Sequence, residues 1–167
     1  MKTFEYEFKV NASISAVSDF HQDTSILKKL TPPPIFIQVH AFEPLAEGST
    51  AELTMWFGPI PVRWTAVHSD VSSQGFTDTQ HRGPLKHWQH THRFIPLDDD
   101  ETMVKEHIEY DYAKGLRGLF SRMMFNRAGL FLLFTARKWL TRWHINRQIK
   151  INNQSAVSTN SGHKANL

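Results

Sequence analysis

A chain of 167 residues with 40% apolar composition and no internal repeat is large enough for one domain with a real core. It has no cysteine, which excludes a disulfide framework and any thiolate metal site. The net charge of +3 hides a polarised distribution: residues 1–111 carry nine lysines and arginines against sixteen acids, whereas residues 112–167 carry ten against none. Such asymmetry points either to an anionic partner of the last third or to a basic helix packed on an acidic sheet.

The opening MKTFEYEFKV places Phe4, Tyr6, Phe8 and Val10 on one face and charges on the other, which predicts a half-buried strand over 3–10. It lacks the long apolar run of a signal peptide, so a cytoplasmic location is expected. Asn11 or Ser13 then caps a short helix carrying Ile14, Val17 and Phe20, and a second runs from Asp23 or Thr24 to Leu30, stopped by Pro32-Pro33-Pro34. Six extended segments follow, over 35–42, 50–57, 62–71, 75–82, 85–96 and 102–112. Their separators are turn-formers: Glu47-Gly48, Gly58-Pro59, residues 69–75, Gly83-Pro84 and the acidic run 98–101. Short turns make these an antiparallel meander, and the first strand brings the sheet to about seven members, a size that curls.

Beyond Gly115 and Gly118 a proline-free stretch predicts one long helix over 121–149. The glycines give the loop before it freedom to act as a gate, or simply permit the entry turn. A helical wheel turns Phe125, Gly129, Leu132, Ala136, Trp139, Leu140 and Trp143 toward the sheet. Met124, Phe131 and Phe134, interleaved with Arg127, Lys138 and Arg142, are then left on the outside. Residues 151–167 are polar and aperiodic, which predicts a disordered tail after a domain spanning 1–150.

The segment from Gly75 to Phe94, GFTDTQHRGPLKHWQHTHRF, gathers the unusual polar residues. Alternation puts Phe76, Asp78 and Gln80 on one face of its first strand and Trp88, His90, His92 and Phe94 on one face of its second. Centring the hairpin on Pro84 pairs Asp78 with His90, Phe76 with His92 and Gln80 with Trp88. Centring the preceding turn near 71–72 brings Trp64 close to Asp78. Centring the following one on Asp99 sets Glu106 opposite His92 and Tyr110 opposite Trp88. The concave face then carries two carboxylate–imidazole pairs, Asp78 with His90 and His92 with Glu106, among Trp64, Phe76, Trp88, Phe94, Ile108 and Tyr110. Such groups either orient a ligand in an aromatic-walled pocket or form a satisfied network that fixes strand register.

Two imidazoles two apart on a strand also raise a metal site completed by Asp78 or Glu106. Each imidazole has a nearer carboxylate partner and His87 points away, so no metal and no other cofactor is expected. Nucleophilic catalysis has no thiol and no G-x-S-x-G elbow to use, while His90 or His92 beside a carboxylate permits acid–base chemistry without requiring it. No residue is therefore assigned a catalytic role. On the long helix, Arg127, Phe131, Phe134, Lys138 and Arg142 suit an anionic membrane surface, unless the first helices or a dimer mate cover them. The apolar run 129–134 is too short to span a bilayer, and no nucleic-acid-binding motif accompanies the basic charge.

Together these features resemble the START-like (SRPBCC) helix-grip superfamily, in its uncharacterised bacterial branch near the polyketide cyclase and dehydrase proteins. The matching pieces are Asp19-Phe20-His21, Leu30-Thr31-Pro32-Pro33, Glu47-Gly48, Arg63-Trp64, Phe76-x-Asp78-x-Gln80, Gly83-Pro84, Trp88-x-His90-x-His92-x-Phe94 and Glu109-Tyr110. Glu106 stands where Asp is expected, and Leu85 where Phe commonly follows Gly-Pro. The resemblance implies an α+β fold, β-α-α-β6-α, whose curved antiparallel sheet grips the long C-terminal helix over a deep cavity for a hydrophobic small molecule or lipid. On that expectation Trp64, Phe76, Trp88, Phe94 and Tyr110 line the cavity. Asp78, Gln80, His90, His92 and Glu106 orient a polar end, and Phe125, Leu132 and Trp139 close it. A cyclase or dehydratase using His90 or His92, and a membrane- or partner-attachment module, are the alternative functions.

Overall fold

The computed structural model describes residues 1–22 and 26–162. In chain order the elements are β1 Lys2–Val10, α1 Ile14–Gln22, α2 Ile26–Lys29, β2 Ile35–Phe42, β3 Thr50–Phe57, β4 Ile60–Ser72, β5 Gly75–Arg82, β6 His87–Pro96, β7 Thr102–Asp111, α3 Gly115–Met124 and α4 Arg127–Gly162. The expected start of α2 at Asp23 or Thr24 lies outside the described residues. Ser13, not Asn11, caps α1: its Oγ accepts from the Ala16 amide at 3.4 Å, and its carbonyl accepts from Val17.

Seven antiparallel strands form one sheet in the order β1-β7-β6-β5-β4-β3-β2, so the first strand closes the far edge beside the last. Parity follows the sequence. Phe8, Val10, Trp88, Phe94, Val104, Ile108 and Tyr110 are buried, while their neighbours along β1, β6 and β7 are more exposed and, Ile95 and Met103 apart, charged or polar. One expected register is displaced. The β4–β5 turn centres on Ser73 rather than 71–72, so His68, not Trp64, lies opposite Asp78, and the ladder bulges between Thr65 and Ala66. Moving the partner by four residues, an even number, preserves the face, so Trp64 still points inward.

The expected single helix over 121–149 is two. Phe125 and Asn126 break it, and Asn126 starts α4 as its cap, accepting from the Gly129 amide through Oδ1 at 2.9 Å and from Leu130 through its carbonyl at 2.9 Å. That cap sets the phase of α4, and the buried stripe is Leu130, Phe134, Thr141 and Ile145. The wheel drawn from the sequence is therefore turned. Leu132, expected to close a cavity, is 70% exposed, Trp139 is 62% and Trp143 55% exposed, and Phe134, expected outside, is 1% exposed. The Tyr6 hydroxyl and Thr135 Oγ1, 3.2 Å apart, tie α4 to β1. With neither glycine nor proline between 130 and 161 to stop it, α4 runs to Gly162, into the stretch whose composition predicted disorder; residues 163–167 lie outside the described part. No helix among the described residues is long and apolar enough to cross a membrane.

Candidate functional site

Register brings the polar cluster together. Asp78 pairs with His90 and Phe76 with His92 between β5 and β6, and His92 pairs with Glu106 and Trp88 with Tyr110 between β6 and β7. Gly75 makes the approach of β5 possible: at φ +136° it carries no side chain where a Cβ would strike the His92 carbonyl oxygen. The side chains cross the expected pairs. Each imidazole lies between both carboxylates. His90 Nε2 donates to Glu106 Oε2 at 2.8 Å while its Nδ1 sits 3.4 Å from Asp78 Oδ2. His92 Nε2 donates to Asp78 Oδ2 at 3.2 Å, and its Nδ1 is 2.8 Å from Glu106 Oε2. That last approach is too far off the donor axis for a hydrogen bond, so His92 Nδ1 is buried beside a charge without an aligned acceptor.

Burial raises the cost of every charge here, and the cluster meets it by pairing. Burial alone would lower the pKa of His92, but the Glu106 and Asp78 carboxylates outweigh it and raise it to about 9. Burial would raise Asp78 and Glu106, and the two histidines instead hold both carboxyls well below the usual range. Arg137 adds a second cation, which the sequence reading did not single out. Burial lowers its pKa while the Glu106 and Asp78 charges oppose that, and its Nε is buried with no hydrogen-bond partner. Its position was legible in principle, because 137 lies three and seven residues beyond Phe134 and Leu130 on the stripe that faces the sheet.

His21 was also passed over as a site residue. It stacks 4.8 Å from the Phe94 ring and 6.2 Å from the His92 ring, and its Nδ1 donates to the Val17 carbonyl at 2.7 Å. Burial, joined by the charges of His92 and Arg137, lowers its pKa to about 4. It therefore walls the cluster as a neutral ring. His68, facing Asp78 across the ladder, packs 6.0 Å from Phe76.

The apolar residues divide. Trp64 and Trp88 meet edge to face at 5.7 Å, with Phe125 6.2 and 5.7 Å from them and Tyr110 6.3 Å from Trp88. Phe76 stacks on His92 at 4.2 Å, and Phe94 lies in the second core cluster with it. Gln80 does not face the cluster freely. Its Nε2 donates to the Leu85 carbonyl at 2.9 Å and its Oε1 accepts from the Leu85 amide at 3.3 Å, bracing the Gly83-Pro84 turn. The β5–β6 ladder ends at Thr79 and Gln89, so the expected Gln80–Trp88 pair is not formed.

Two pockets of the described residues lie away from the space beneath α4. One, of about 230 Å³, lies around His40, Glu52, Arg63 and Arg82. The other, of about 560 Å³, is an open groove between Ile60–Val62, Gly83-Pro84 and the α3 residues Leu116 and Phe120. Large rings occupy the space beneath α4 that smaller side chains would leave open: Trp64, Trp88, Phe125 and Phe134 share one core cluster with Leu130.

The donor atoms of Asp78, His90 and His92 lie within 4.8 Å of one another, a set that could hold a divalent cation with Glu106 behind the imidazoles. Such an ion would have to displace the proton that His92 keeps to about pH 9. The two carboxylates already face an imidazolium and the Arg137 guanidinium, so charge balance does not call for a metal.

No protein-family model matches this sequence, and no curated protein matches it. Solved structures do match. Zhui aromatase/cyclase from Streptomyces sp. R1128 aligns over 89% of this chain and 95% of its own, at 15% identity and a TM-score of 0.67. Norcoclaurine synthase from Thalictrum flavum, in complex with dopamine and hydroxybenzaldehyde, aligns over 87% of each chain at 15% identity and 0.62. A START superfamily protein from Mycobacterium smegmatis aligns over 87% and 98% at 12% identity and 0.64. At such identities the likeness concerns the backbone. The chain therefore has the START-like (SRPBCC) helix-grip fold, a curved seven-stranded antiparallel sheet closed by a long C-terminal helix.

Proposed function

We propose that the protein binds a small hydrophobic or aromatic compound carrying an acceptor oxygen, which docks against Arg137 and His92. The observation that carries this reading is a pair of cationic side chains beside the aromatic core, His92 on β6 and Arg137 on α4, of which His92 Nδ1 and Arg137 Nε are buried without an aligned acceptor. A buried donor left without a partner costs about 1–3 kcal/mol, a cost that a ligand oxygen would relieve at Arg137 Nε. The 560 Å³ groove beside Phe120 lies within the usual range for ligand pockets of roughly 300–1,000 Å³ and serves as the entrance. Gly115, at φ +67°, gives the start of α3 the hinge that such an entrance needs. From there the edge-to-face rings of Trp64, Trp88 and Phe125 lead to His90, whose ring is 6.1 Å from Trp88. Partly buried Met55, Met124 and Leu133 are the side chains that yield space.

The test is calorimetric titration with 1-naphthoate, an aromatic carboxylate. Arg137→Met should weaken binding at least about tenfold, as expected for a lost charge-assisted hydrogen bond. Folded wild-type protein that takes up no naphthoate, or an unchanged affinity in the variant, refutes the reading.

An enzyme of the cyclase or dehydratase kind is the second reading of the same cluster, and the protonated state of His92 favours it. At neutral pH that imidazolium acts as a general acid rather than a base. Two of the structural neighbours bear the names of catalysts, an aromatase/cyclase and a synthase. Once a substrate is in hand, His92→Gln should lower turnover about 10²- to 10⁴-fold, and unchanged turnover would dismiss the enzymatic reading.

A further inference from the structure

The turned phase of α4 leaves an unusual surface. Leu132, Trp139 and Trp143 are more than half exposed and, at spacings of seven and four, lie along one face of the helix. Cations attend the rings: Lys138 Nζ and Arg142 Cζ are each 5.8 Å from the Trp139 centroid, and Arg147 Cζ is 5.5 Å from that of Trp143. Arg142 Nε also donates to the Lys9 carbonyl at 2.8 Å, which anchors that guanidinium beside β1. Lys150, exposed seven residues beyond Trp143, extends the same face. No acid occurs after Asp111, so nothing on α4 offsets these charges.

We infer that this face of α4 docks on an anionic lipid surface, with Trp139 and Trp143 at the headgroup level and Lys138, Arg142, Arg147 and Lys150 meeting the phospholipid charges. Charge complementarity selects the occupant. A face with no carboxylate and a row of cations is suited to a uniformly negative plane, and tryptophan is the side chain that lodges best at the boundary between headgroup and acyl chain. The helix lies in the interface and does not cross it, in keeping with its lack of a long apolar run. Phe134 belongs to the core, so the membrane-facing set differs from the one expected from the sequence. A hydrophobic cargo would give such docking a purpose, but the docking stands on the surface alone.

The test is vesicle flotation of the full chain with phosphatidylcholine alone and with phosphatidylcholine mixed with phosphatidylserine. Binding is expected only to the mixed vesicles, with a blue shift of tryptophan emission and release by salt. The double variant Trp139→Ala/Trp143→Ala should lose both flotation and blue shift while keeping the wild-type melting temperature. Lys138→Glu/Lys150→Glu, a second variant at a half-buried and an exposed position, should weaken partitioning by about fivefold or more per reversed charge. Three results overturn the inference: no flotation of the wild type, equal flotation of the tryptophan variant, or a fall in its oligomeric mass, which would assign the face to a second copy of the chain.

Discussion

Raising the pH from 6.5 to 9 should destabilise this protein through a single residue. In the folded chain His92 keeps its proton to about pH 9, whereas an unfolded histidine releases it near 6.5. A raised folded pKa contributes stability that is fully present below 6.5 and disappears as the pH climbs through 9. The difference of about 2.5 pH units corresponds to about 3 kcal/mol at roughly 1.4 kcal/mol per unit. For a domain of this size that is a fall in melting temperature of roughly 6–12 °C. His21, lowered to about 4, and Tyr112, raised to about 12, titrate outside the interval. Urea unfolding followed by circular dichroism across the interval measures the slope, and His92→Gln should flatten it. Removing one partner of a buried pair costs about 3–5 kcal/mol, so a variant too unstable to study is replaced by an NMR titration of the wild-type imidazoles. A stability that is level or rising from pH 6.5 to 9, a slope unchanged in the variant, or a His92 resonance that titrates near 6.5 would refute the reasoning.

Three other outcomes are expected. On the acid side stability should fall as the pH drops from 6.5 through 4, because His21 is buried neutral and the unfolded chain takes up its proton first; a His21→Phe variant should lose that limb in the same urea series. Phe134→Ala should cost about 3–5 kcal/mol and Leu132→Ala less than about 0.5, by chemical denaturation; the reverse order would restore the wheel drawn from the sequence. Gly75→Ala should cost about 3 kcal/mol or more in melting experiments, with roughly 1–3 for backbone strain and about as much for overpacking against the His92 carbonyl.

The strands were legible because a period of two is enforced residue by residue. Phe4 to Val10 and Trp88 to Phe94 could face only one way, and their turns, centred on Pro84 and Asp99, set the registers that bring Asp78, His90, His92 and Glu106 together. The β4–β5 register was off by four residues, since a bulge at Thr65/Ala66 and the positive φ of Asp70 leave no mark in the residue pattern. The helix was harder. Residues 128–136, AGLFLLFTA, are apolar nearly all round, so periodicity does not fix which side is buried. The phase comes from the Asn126 cap and from Tyr6 and Thr135 at the sheet edge, both tertiary facts. The same ambiguity hid Arg137, whose charge argued for the surface while its position brought it within electrostatic reach of two carboxylates.

Sequence also proposed the pairs Asp78–His90 and His92–Glu106, where the folded protein shares both imidazoles between both carboxylates. Strand register decides which Cα atoms are opposite, but rings two residues apart on one strand, with centroids 3.9 Å apart, can each reach diagonal neighbours.

Native mass spectrometry of the protein isolated from its own host, without detergent or denaturation, tests most directly whether the cluster orients a bound compound. We expect an additional small-molecule mass retained by the wild type and lost from folded Arg137→Met. A bare polypeptide mass for the folded wild type, or an adduct held equally by the variant, would contradict it.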